Sequence, residues 1–109
     1  NETLLPTAAQ HATLMANTNF TTFSSQLEAS PFHNRLHGLV GGTMGTASSP
    51  ADPIFWLHHG FIDKLFADWQ ILNPAAIHPN SSEILKPSPI MTRTNAQVWS
   101  TLGLGYIYA

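Results

Sequence analysis

The sequence predicts a mainly α-helical fold with long loops and little strand. Three observations predict it. Residues 52–70, DPIFWLHHGFIDKLFADWQ, spread Phe55, Leu57, Phe61, Ile62, Leu65, Phe66 and Trp69 around a helical circumference, behind an Asp-Pro pair that suits a helix N-terminus. Phe20, Phe23 and Leu27 recur at helical spacing. The stretches between are rich in glycine or proline, which punctuate helices. At 109 residues the chain is long enough for one small domain.

The elements follow in order. Residues 6–17, PTAAQHATLMAN, read as a short helix with Pro6 in its first turn. Residues 19–30 read as a second, with Asn19 as N-cap. Ser30-Pro31-Phe32 breaks the chain before a third helix over 32–40. Residues 38–52 hold four glycines and many small residues, a loop too apolar to be a solvated linker. The long helix then runs from Asp52-Pro53 to about Gln70, and its apolar circumference predicts burial on several faces. A proline-rich wrapping loop spans Asn73 to Pro89, and NAQVWSTLGLGYIYA ends the chain as a short helix or turn followed by an extended aromatic strand.

Composition narrows the function. Only 9% of residues are charged, against about 25% in an average soluble domain, so much of the chain is expected to face other protein. The net charge of −2 with no basic stripe argues against nucleic acid as a partner. No apolar run approaches a membrane span, and no signal peptide or lipidation signal is visible. Cysteine is absent, which excludes disulfides and thiolate metal sites within the chain. Three sequons, at Asn1, Asn19 and Asn80, point toward secretion, although a chain rich in Asn, Ser and Thr makes some by chance.

Six histidines against four Lys+Arg turn attention to metals. His33 and His37 are four apart, so a helix places them on one face, one turn apart. His58 and His59 sit together in the apolar helix, where an imidazole needs a partner. Adjacent residues point about 100° apart, so one of the two can ligate while the other meets a structural partner. Two ligands from one helix and one from another is a standard way to build a metal site in a bundle. Three neutral imidazoles suit copper or zinc. Spacing alone leaves a satisfied structural cluster as the alternative. His11 and His78, in polar or proline-rich surroundings, read as surface residues.

HNRLHGLVGGTMG followed by SPADPIFWLHHGFIDKLFADWQ closely resembles the copper B half of the tyrosinase, catechol oxidase and hemocyanin family of type-3 dicopper proteins, and most of all a tyrosinase. That family shows an HN..H helix, a V-G-G loop and D-P-x-F-x-x-H-H-x-x-x-D-x-x-x-x-x-W-Q, and every element is here. The terminal LGYIYA resembles the family's closing Y-x-Y segment. The likeness covers about residues 27–70 and 99–108.

The resemblance implies a fold, a site and an activity. The fold is the C-terminal half of a four-helix-bundle dicopper domain. His33, His37 and His59 become the ligands of copper B, and His58 the structural neighbour. Asn34 resembles the asparagine that helps hold a water, and Glu28 its partner glutamate. Phe55 resembles the aromatic packed on the ligands, and Asp63 stands where it could orient a ligand imidazole. Gly38, Met44 and Ala47 stand where the family varies its substrate pocket, and the small Gly38 and Ala47 predict an open mouth. The implied activity uses O2 to hydroxylate monophenols or oxidise o-diphenols to o-quinones at a copper pair.

One departure matters. The family pattern needs six ligating histidines, three of them from a copper A half. His11 and His78 do not supply it, nor is the arginine present that the Tyr106-x-Tyr108 segment normally meets. The expectation is therefore a partner chain or segment carrying the copper A half. Two other classes compete: a hemocyanin-like oxygen carrier and a catalytically silent copper-binding fragment.

Overall fold

The computed structural model describes residues 5–86 and 90–109; the Asn1 sequon, Pro87 and Pro89 lie outside them. Among the described residues five α-helices follow in order: α1 (Ala8–Met15), α2 (Phe20–Glu28), α3 (His33–Val40), α4 (Pro53–Leu72) and α5 (Thr101–Leu104). Short 3-10 turns at Gly42–Gly45, Ser49–Ala51 and Asn95–Val98 sit between them. Among the described residues there is no strand, only an isolated bridge between Ile84 and Thr94. The chain's end is extended as expected, but Tyr106 to Ala109 pair with no strand.

Local chemistry sets the helix starts. Asn19 accepts from the Thr22 amide at 3.1 Å and Asp52 from the Ile54 amide at 2.9 Å, each satisfying an amide that the first turn leaves without a partner. Pro53 takes the first position of α4, where a missing N–H is harmless. In α1 the expectation needs correction. Thr7 is the N-cap, closing a capping box with Gln10, so Pro6 lies before the helix rather than in its first turn.

The core lies where α1 and α2 pack on the second half of α4. Leu14, Phe23, Leu27, Phe32, Leu65 and Trp69 are buried together. Phe23 and Trp69 stack with centroids 4.6 Å apart. The Trp69 indole N–H donates to the Asn17 carbonyl at 2.7 Å, which ties the α1–α2 turn to α4.

The first half of α4 departs from the predicted burial. Leu57 is 77% exposed, Trp56 65% and Phe61 47%. The apolar circumference is real, but this chain covers only the side bearing His58, Leu65 and Trp69. The other side faces outward.

Candidate metal centre

α3 begins at His33, so His33 and His37 project one above the other from a single face, toward α4. His59 reaches them from α4. The three Nε2 atoms form a nearly equilateral triangle: His33–His37 3.2 Å, His33–His59 3.3 Å and His37–His59 3.3 Å.

The other ring nitrogens set the chemistry. His37 Nδ1 lies 2.7 Å from the Met44 carbonyl, and its N–H donates there. His33 Nδ1 lies 3.1 Å from Asn34 Oδ1, which can accept in the same way. These tautomers follow from the oxygen partners, which can only accept. They leave lone pairs on both Nε2 atoms, aimed at the third imidazole. Facing lone pairs need a cation or a proton between them. Nitrogens about 2.0–2.1 Å from one ion in tetrahedral directions lie about 3.3–3.4 Å apart, so this triangle fits a divalent ion. The donor set of three imidazoles and no thiolate suits copper or zinc.

Backbone geometry places the Met44 carbonyl. Gly41 and Gly42 take φ of 65° and 52°, a left-handed region glycine enters without strain. They turn the chain off α3 into the Gly42–Gly45 turn, which buries Met44 and returns its carbonyl to His37.

His58 is buried and its Nε2 donates to the His33 carbonyl at 3.0 Å. A looser set of His33, His37 and His58 nitrogens lies within 4.8 Å. The tighter triangle with His59 is the better candidate, because His58 already spends its Nε2 on the backbone. Burial lowers the pKa of both His58 and His59 below the ordinary 6.5, with the neighbouring imidazoles adding to the effect.

Phe55 stacks on His59 with centroids 4.0 Å apart, fixing the ring plane. Asp63 is a correction. Its Oδ2 accepts from Tyr106 Oη at 2.7 Å and Tyr108 Oη at 2.6 Å, and no imidazole hydrogen-bonds to it. Those bonds hold both phenols protonated: Tyr108 is pushed up to about 12, and Tyr106 is also raised. The sequence offered no signal for this link beyond the Y-x-Y likeness.

Two concavities border the triad. The smaller, ≈ 360 Å³, is open and is lined by His33, Asn34, Met44, Thr46, Phe55 and His59, among others. Gly38 and Ala47 are exposed but do not line it. A step of one residue past His37 swings Gly38 about 100° away from the ligand face, and Gly45, Thr46 and Ser49 stand at the mouth instead. The larger, ≈ 420 Å³, lies between α2 and α4, with Glu28 and Asp63 beside His59 and an apolar wall including Phe20, Phe66 and Trp99. Glu28 and Asn34 thus flank His59 from different concavities. Glu28 Oε1 accepts from the Ser24 hydroxyl at 3.2 Å. His11 is exposed as expected. His78 is not a bare surface residue, for its ring packs on Phe20 (5.1 Å) and Trp99 (5.7 Å).

Comparison with known proteins adds a second line. The model of the common central domain of tyrosinase matches residues 1–72. A tyrosinase from Streptomyces antibioticus is 59% identical over 44 residues, 40% of this chain and 16% of that protein. A tyrosinase from Oryzias latipes is 35% identical over 91 residues, 73% of this chain and 17% of the relative. Hemocyanin 2 from Megathura crenulata is 40% identical over 74 residues, 62% of this chain and 2% of that protein. The chain spans about a sixth of the length of these two tyrosinases.

Proposed function

The chain belongs to the tyrosinase family, and from that premise we propose that it furnishes the copper B half of a type-3 dicopper phenol oxidase. The observation that carries the reading is the convergence of three imidazole Nε2 atoms at 3.2–3.3 Å. His33, His37 and His59 would hold the ion. Copper bound there, paired with a second copper, would supply the redox chemistry that joins O2 to a phenol.

The residues of this chain prepare the site for it. His58 pins the start of α3 to α4 by donating to the His33 carbonyl. The Met44 carbonyl and Asn34 keep protons on Nδ1, so the ligand nitrogens stay free. Phe55 excludes water from one face of His59. The open concavity beside the triad admits a phenol ring past Gly45, Thr46 and Ser49. Glu28, with one oxygen taken by Ser24 and the other left for water, stands beside His59 in the larger concavity as the carboxylate that takes up a proton released at the site, while Asn34 faces the smaller one. This role favours monophenol hydroxylation over catechol oxidation alone.

The second triad has to come from another segment or another chain. The chain's own surface supports such a partner. It exposes 7264 Å², whereas a compact monomer of 11.9 kDa exposes about 5,900 Å². The excess exceeds what one partner buries in a standard interface, about 800 Å².

Native mass spectrometry with a copper count on purified material tests the reading. A complex containing this chain, two coppers and a second histidine-bearing segment, active on a monophenol, is the expected result. Oxygen binding with almost no catechol turnover would make it a carrier, in keeping with the hemocyanin likeness. Absence of copper at the triad would overturn the proposal.

A further inference from the structure

α4 has a weak turn beside its candidate ligand. Gly60 follows His59 directly and is the single glycine of the helix. A glycine in a helix interior weakens it relative to alanine. No close packing requires it, since a Cβ there would meet nothing within 4 Å. The turn from Gly60 to Asp63 is gripped from outside by the end of the chain. Tyr106 and Tyr108 both donate to Asp63 Oδ2, at 2.7 Å and 2.6 Å. The Tyr108 hydroxyl also lies 3.2 Å from the Gly60 carbonyl, so its hydrogen is shared between helix backbone and carboxylate. Phe55 holds the imidazole of His59 from the turn before. The tail holds the backbone from the turn after.

We propose that the Tyr106-Ile107-Tyr108 tail is a brace that positions His59, with Tyr108 and Asp63 as positioning residues acting through the Gly60 turn. The proposal rests on the reading of His59 as a metal ligand. The brace does not touch the ion. It narrows the range of positions His59 Nε2 can take relative to His33 and His37, so its loss weakens metal binding without removing a ligand.

The test uses the full chain and cobalt(II), whose visible bands report the geometry of its ligands. Tyr108→Phe keeps the ring and removes the hydroxyl. It is expected to raise the cobalt dissociation constant about tenfold, as loss of a group supporting a ligand does, and to speed amide exchange at residues 60–64. Gly60→Ala in that background stiffens the same turn from within, and is expected to restore both. Ser25→Ala, on the exposed face of α2, raises helix propensity elsewhere and is expected to restore neither. Unchanged affinity and exchange in Tyr108→Phe would overturn the brace, as would equal rescue by Ser25→Ala. Should the parent chain take up no cobalt, the ligand reading fails, and the exchange result alone decides whether the tail stiffens the turn.

Discussion

His58 and His59 are neighbours with opposite duties, and single substitutions separate them. His59 is half-buried and contributes Nε2 to the triad. His59→Ala is expected to abolish metal uptake while leaving the helical circular dichroism unchanged. His58 is 4% exposed and donates to the His33 carbonyl. His58→Ala leaves a buried carbonyl without its donor and a void beside it, so it is expected to lower unfolding stability by about 2 kcal/mol, read by urea denaturation. Retained metal stoichiometry in His59→Ala would make His58 the third ligand instead. Spacing put His33 and His37 on one face and allowed one of the adjacent pair to ligate; which of the two does so came from the family resemblance. The sequence did not carry the partner of Asp63. The phenols that occupy that carboxylate lie 43 and 45 residues away, beyond any helical period, and the expectation that Asp63 orients an imidazole failed there. Met44 was expected at the substrate pocket from the resemblance; its carbonyl contact with His37 was not foreseen, since a backbone carbonyl leaves no mark on residue type.

Among the elements, the helices were legible and their joints were not. Asn19 and Asp52 cap α2 and α4 because a short polar side chain before an apolar periodic run satisfies free amides locally. The Trp69–Asn17 tie spans 52 residues, and nothing near either residue announces it. The tail is the joint most open to measurement. The chain has two tyrosines, and both hydroxyls sit on Asp63. Their folded pKa values are raised, so the neutral form is the one the fold favours. The stabilisation is complete below the unfolded value near 10 and is lost as pH rises through the folded values, about 12 for Tyr108. Tyrosinate absorbance in the ultraviolet should therefore appear late, with one group titrating near 12. Asp63→Asn should return both to about 10. Two ordinary titrations near 10 in the parent chain would mean that the tail is not docked on α4 in solution.

The whole molecule is looser than its mass warrants. Its radius of gyration is 14.9 Å, against about 13 Å for a compact chain of this length. The apolar side of α4 that carries Trp56, Leu57 and Phe61 lies open, and contiguous apolar surface of this kind marks an interaction site. Two coverings fit such a face, a segment carrying a second triad or a second copy of the chain, and the proposed copper B role points to the first. After the triad takes three and His58 the backbone, His11 and His78 remain, one exposed on α1 and one packed against Phe20 and Trp99. A second copy would bring a second set of His33, His37 and His59, so the histidine count alone does not choose between the two coverings. Hydroxyl-radical footprinting separates the cases. In the isolated chain Trp56, Leu57 and Phe61 should oxidise readily while Trp69, fully buried, stays unmodified. In the two-copper complex the first three should be protected severalfold and Trp69 should not change. Protection that instead rises with the concentration of the chain alone, without any gain in copper, would assign the face to self-association. Unchanged reactivity in an active complex would place the partner elsewhere, on the cleft between α2 and α4 where His59 borders the larger concavity.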